Sequence, residues 1–246
     1  MKRRLETPVL LGLLAALGVG ATPVRATAAV VRSPAWGSLL ARFATGGRVD
    51  YRGWKADAAA LRDLDDYLAS LAKARPEAEK DRGARLTFWI NAYNACAIRH
   101  VLDRYPLKSV MDVKGFFTAL TCQVAGESRP LDAIEKAVIR KRFDEPRVHF
   151  ALNCASISCP PLQAKPWTTA GLDARLDRAA RDFIRSGGAR IDGGTLRLSR
   201  IFEWYAADFR KGAASVPAWV AKFLPGADGA GLKLAYDEYD WGLNGR

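Results

Sequence analysis

The residues best suited to chemistry lie in one stretch, His149–Leu162, HFALNCASISCPPL. It holds one of the chain's two histidines and two of its four cysteines. Three chemistries fit that composition. A cysteine attacks as the thiolate, and a nearby histidine lowers its pKa or takes its proton, which would pair Cys154 with His149. Cys154 and Cys159 could instead be joined as a disulfide, with Cys96–Cys122 as the second bridge in one of three possible pairings. A histidine and two cysteines could also begin a metal site. Structural zinc wants four ligands with pairs at C-x₂₋₄-C spacing, however, and no second pair exists here. No metal or cofactor is therefore expected. On chemistry alone the nucleophile and the disulfide stand level.

Small residues after Cys154 leave room for a substrate and free backbone N–H groups that could stabilise an oxyanion. His149 and Cys154 have opposite parity on an ideal strand, so they meet only if the strand ends between them. Otherwise His149 serves Cys159 or a hydroxyl. Ser156 and Ser158 lack a G-x-S-x-G elbow and rank behind the cysteines. His100 falls near the end of a helix, where the dipole accounts for it.

Several elements must position these groups. Pro34–Phe43 and Asp57–Ala72 have helical periodicity, with Leu61, Leu64, Leu68 and Leu71 on one face of the second. Ala84–Pro106 is apolar on nearly every side over its first two-thirds, which places that helix at the centre of a fold. Asn91 and Asn94 sit inside it on one face. They either crosslink to a neighbouring loop or form the polar wall of a site. GFFTALTCQVAGESRPL reads as a hairpin turning at Gly126. Asp132 and Glu135 then fit a capping box. EPRVHFAL reads as a short buried strand that delivers His149. WTTAGLDARLDRAARDFIRSGG is an amphipathic helix, capped by Thr168 or Thr169 and ended by Gly187-Gly188. TLRLS is a strand, IFEWYAADFRK a short aromatic helix, and KLAYDEYDWGLN a last strand and turn. The expected class is α+β, a mostly helical single domain with a small, scattered antiparallel or mixed sheet.

The chain has 246 residues, 49% of them hydrophobic and 10% aromatic, which excludes a disordered protein. Lys2, Arg3 and Arg4 precede an apolar run, Pro8–Ala21, and then small residues around Ala26 and Ala28. That is the layout of a secretory signal, and the run is shorter than the roughly 20 residues a spanning helix needs. Residues 1–26 are therefore expected to be a signal peptide and 33–246 a single domain, periplasmic or extracellular. The flanks of Arg3-Arg4 fit a twin-arginine signal poorly. The formal charge is +12. Its positive residues are scattered among acids. That pattern favours an ordinary solvated basic surface, and an exported protein would meet anionic envelope surfaces or acidic substrates sooner than nucleic acid.

FWINAYNA (Phe88–Ala95), LDAIEKAVIR, HFALNCASISCPPL, IFEWYAADF (Ile201–Phe209) and YDWGLN (Tyr239–Asn244) occur in that order. Together, over roughly Leu61 to Asn244, the chain resembles the domain of unknown function 547 family. The chain departs from the family in GARLT before FWIN and in Asn153, where an aliphatic residue is more usual. The resemblance implies that the Asn91/Asn94 helix and the His149–Cys159 stretch are family motifs, and it implies no activity. From the residues we expect an exported thiol-dependent amide hydrolase or acyl transferase acting on a small-molecule or peptide substrate. Cys154 is its nucleophile and His149 its base. Asn91 and Asn94 line or orient the site, Glu135 orients the imidazole, and Cys159 stands beside the nucleophile. The competing expectation is a non-catalytic envelope binding module stapled by Cys154–Cys159.

Overall fold

The computed structural model describes residues 34–246. The signal peptide expected at 1–26 lies outside them. The first helix, α1 (Pro34–Phe43), turns Trp36, Leu39, Leu40 and Phe43 inward. A minimal antiparallel hairpin of β1 (Ala44–Thr45) and β2 (Arg48–Val49) follows. Two capped helices come next, α2 (Tyr51–Ala56) and α3 (Ala58–Lys73). The Asp57 carboxylate accepts the N–H groups of Ala59 and Ala60, satisfying donors that a helix start leaves orphaned.

The axis of the fold is α4 (Arg82–Arg104), buried without a break from Leu86 to Ile98. It stops two residues short of Pro106, as a proline ahead requires. Cys96 on this helix is disulfide-bonded to Cys122 on β3 (Thr121–Val124). That strand pairs antiparallel with β4 (Glu127–Pro130) through a turn in which Gly126 takes φ 81°. The turn's Ala125 and Gly126 N–H groups bond the carbonyls of Leu71 and Ala72 at the end of α3. The hairpin is thus fixed to α4 by sulfur and to α3 by hydrogen bonds.

Four local expectations change. The segment after the hairpin is π-helical over Ala133–Arg140 and continues as the short α5 (Lys141–Phe143). No capping box forms, because Asp132 is itself helical and its carboxylate takes the Lys136 ammonium at 2.6 Å. The run carrying His149 is not a strand but a 3₁₀ turn, Pro146–Phe150. Pro146 starts it and the Glu145 side chain accepts from the Arg147 N–H; so short an apolar run has no decisive period of its own. Finally, α6 (Leu172–Phe183) begins from Gly171 at φ 65° and not from a threonine cap. It closes through Gly187 at φ 110°, as the paired glycines predict.

Beyond it, β5 (Ala189–Asp192), β6 (Thr195–Leu198) and later β7 (Lys233–Tyr236) make a mixed three-stranded sheet. The first pair is antiparallel and the second parallel. The connection holds α7 (Arg200–Trp204), α8 (Ala206–Arg210) and α9 (Val216–Ala221). Phe202, Phe209 and Trp219 from these helices pack on Phe150 of the 3₁₀ turn. The class is α+β and mostly helical, with small separate sheets. One buried cluster runs from Trp36 to Leu243. Among the described residues no helix is long and apolar enough to cross a membrane.

The last residues are not a loose end. Leu243 bridges to Ser156 and Gly245 bridges to Val49. Asn244 accepts from the Tyr51 hydroxyl at 2.9 Å and donates its backbone N–H to Ala155 at 3.0 Å.

Candidate active site

The turn that carries Cys154 is built by buried amides. Asn94, on α4, accepts the Asn153 backbone N–H at 2.8 Å and donates to the Ala151 carbonyl at 2.9 Å. The Asn153 side chain accepts from the Ala155 N–H and from the Asn244 amide, each at 3.1 Å, and donates to the Pro160 carbonyl at 2.8 Å. These bonds tie together the two ends of the loop and the C-terminal segment. They also hold Ala155 at φ 65°, a left-handed conformation that a residue with a Cβ rarely adopts. Strain of this kind persists only where the surroundings over-determine it.

The turn places the Cys154 sulfur 2.9 Å from the Ser156 hydroxyl and 3.3 Å from the Tyr239 hydroxyl. Cys159 lies alongside, its sulfur accepting the Cys154 N–H at 2.9 Å. Both are free thiols, so the Cys154–Cys159 bridge weighed above is not formed, whereas Cys96–Cys122 is. Burial opposes ionisation of Cys154. Hydrogen bonds from Cys159, Ser156 and Tyr239, and from the Ser156 backbone N–H, outweigh it and bring the thiol from 9.0 down to about 7. The proton stays on Cys159, which burial and the adjacent thiolate push well up. One sulfur of the pair is poised to be an anion and the other to donate to it.

His149 is held from a different direction. Its Nε2 lies 3.0 Å from an Asp208 carboxylate oxygen on α8, and the Arg140 Nε donates to that same oxygen at 2.6 Å. The ring stacks on Tyr205 with centroids 3.8 Å apart and leans on Phe209. Asp208 resists burial because His149 and Arg140 hold its carboxyl well below the usual carboxylate range. The carboxylate that orients the imidazole is therefore Asp208 and not Glu135.

His149 and Cys154 do not hydrogen-bond to each other. They line one cleft of about 310 Å³, with Tyr93, Glu135, Trp204 and Tyr239 among its other walls. Cys159 lines it as well. Asn94 reaches the site only through the Cys154 turn. Asn91 stands apart: it accepts the Trp167 N–H and donates to the Trp167 carbonyl, at 3.0 and 2.8 Å, as a crosslink between α4 and a loop. His100 is a buried core residue against Phe116 rather than a dipole-facing one, and burial lowers its pKa.

Sequence reasoning missed Asp208, Arg140 and Tyr239. A signal for two of them existed. Asp208 lies at i+3 from Tyr205 in the aromatic block IFEWYAADF, and Tyr239 opens YDWGLN. Arg140, at the end of a charged helix, had none. Among the described residues no three His, Cys, Asp or Glu side chains gather as a metal site.

A family model described as "Protein of unknown function, DUF547" matches residues 78–184. That span holds Glu135, His149, Cys154 and Cys159, and stops short of Asp208 and Tyr239. No curated protein and no solved structure matches the chain.

Proposed function

Residues 78–184 form a DUF547 family domain, and on that premise we propose that the protein is a thiol-dependent acyl transferase or amide hydrolase with Cys154 as nucleophile. The observation that carries this reading is the sulfur of Cys154, brought to a pKa of about 7 by hydrogen bonds in a cleft that it shares with an Asp208-anchored His149. The thiolate adds to the acyl carbon and the carbonyl π electrons move to its oxygen. The intermediate collapses by expelling the amine or alcohol, which takes a proton from the imidazolium of His149. The imidazole then removes a proton from water as the water oxygen attacks the thioester. Breaking the C–S bond returns the thiolate and releases the acid. A second nucleophile in place of water gives acyl transfer.

His149 acts in this scheme as the proton carrier for the leaving group and the water. The proton that the Cys154 thiol gives up enters the cycle on His149, while Ser156, Tyr239 and Cys159 stabilise the anion left behind. The proposed setting is outside the cytoplasm, on the strength of the N-terminal sequence pattern. An anionic envelope surface is the proposed neighbour of the basic exterior.

The test is acylation by p-nitrophenyl acetate, followed by peptide mass spectrometry. The expected result is an acetyl group on Cys154, lost in Cys154→Ser while the melting temperature is unchanged. No adduct on the wild-type protein, or an adduct confined to Cys159, would sink the proposal.

A further inference from the structure

Glu135 is a charged side chain that the reaction above leaves unused. It is only 7% exposed, yet it forms part of the cleft wall. Its Oε1 is sealed from solvent and has no hydrogen-bond partner. Buried polar atoms without partners are uncommon, and a site awaiting a ligand is one of the few reasons a fold keeps one. Its backbone adds a second oddity. Glu135 sits on the π-helical segment Ala133–Arg140, and π-turns are rare and concentrated at functional positions.

The charges around it favour a cation. Lys136, next in sequence, is paired with Asp132, and the Arg140 guanidinium is bonded to Asp208 and laid over the Tyr205 ring at 4.9 Å. Neither cation is hydrogen-bonded to Glu135; Arg140 acts on it through its charge alone. The Tyr93 and Tyr205 phenols are raised chiefly by burial, then by Glu135, which Tyr205 also meets through a hydrogen bond, and more weakly by Cys154, so both acids act on the same two rings. The same cleft has an aromatic wall. Trp204 stacks on Trp241 at 5.7 Å, Tyr239 packs on Trp241 at 4.6 Å, and Trp204 stays 43% exposed. A carboxylate facing aromatic rings is the usual setting for a bound ammonium group. A neutral donor would satisfy Oε1 without balancing the charge, whereas an ammonium supplies both the missing donor and the charge.

We infer that Glu135 anchors a protonated amino group of the substrate, so that the cleft takes acyl compounds carrying a free amine, with the amine at Glu135 and the acyl carbon at Cys154. The second half rests on the acyl-transfer reading. The amine subsite itself does not.

The experiment uses the full chain and n-butylammonium, with 1-butanol as its uncharged counterpart. The readout is the rate of Cys154 alkylation by iodoacetamide, resolved by mass spectrometry. Saturating n-butylammonium should slow it at least tenfold while 1-butanol does not, and Glu135→Gln should raise the concentration needed at least tenfold. Equal protection by 1-butanol, a comparison that needs no variant, overturns the inference. So does an unchanged concentration requirement in a folded Glu135→Gln protein. Alanine amide and 6-aminohexanamide, each against its N-acetyl form, separate an α-amine from a side-chain amine; N-acetyl forms that protect equally well also overturn it. Protection by n-butylammonium without any acetyl transfer to Cys154 would refute the reaction and leave the subsite standing. The reverse pattern would refute the subsite alone.

Discussion

Replacing Tyr239 by Phe removes one hydroxyl from the Cys154 sulfur and little else that touches it. That hydroxyl lies 3.3 Å from the sulfur and 3.0 Å from the Ser156 Oγ. A hydrogen bond to a charged group contributes about 1.5–3 kcal/mol. At about 1.4 kcal/mol per pKa unit, its loss raises the thiol by about one to two units. From about 7, the inflection of alkylation rate against pH moves to about 8–9. At pH 7 the ionised fraction falls from about one half to between roughly 1% and 10%. A more basic thiolate is also a better nucleophile, by roughly threefold per unit. The rate at pH 7 should therefore fall by only about two- to fivefold, and above about pH 8 the variant should overtake the wild type. The assay is iodoacetamide alkylation from pH 5 to 10, read on the Cys154 peptide. A wild-type inflection at or above about 8.5 would refute the reasoning, as would a Y239F curve that superimposes on the wild type.

Three further outcomes follow from the same geometry. Asn153→Ala removes three side-chain hydrogen bonds; it should cost about 3 kcal/mol or more, a melting-point drop of about 6–12 °C for a chain this size, measured by calorimetry. Asp208→Asn should lower kcat by about 10²–10⁴ on any ester that acylates Cys154. Because the folded protein depresses the Asp208 pKa, its contribution to stability is complete above the ordinary value of 3.8 and lost as pH falls below it. Acid unfolding profiles of the wild type should show that loss and Asp208→Asn should not. Reducing Cys96–Cys122, which closes a loop of sequence separation 26, should cost about 3 kcal/mol. The Cys154 alkylation profile should stay in place, since neither of those cysteines lines the cleft.

Much of the fold was legible because its signals are local. Asp57 ahead of an apolar period announces α3, and Gly126 between two short runs announces the hairpin. The 3₁₀ turn before Cys154 was not legible. An apolar run of a few residues has the same pattern in a buried strand and a buried turn, and only Pro146 hinted at the difference. The site divides in the same way. Cys154, His149 and Cys159 were legible as residue types crowded into one stretch. The partners that set their chemistry lie 59 residues away, in Asp208, and 85 away, in Tyr239. Those distances are bridged by tertiary packing, which no local pattern reports. The parity argument had no strand to act on, because His149 sits on a 3₁₀ turn. It could not show that His149 and Cys154 would each find a different anchor.

The C-terminal segment gives the sulfur a history as well as a place. Tyr239 bonds Cys154, Leu243 and Asn244 brace its turn, and Gly245 and Arg246 pair with Val49 near the other end of the described chain. During synthesis the cysteine leaves the ribosome about eighty-five residues before the tyrosine that lowers its pKa. Until the tail arrives, Cys154 is an ordinary thiol with an unfinished loop around it. Nascent and partly unfolded chains thereby carry a less acidic thiol, and the pH at which Cys154 labelling inflects, not labelling itself, distinguishes finished molecules from unfinished ones.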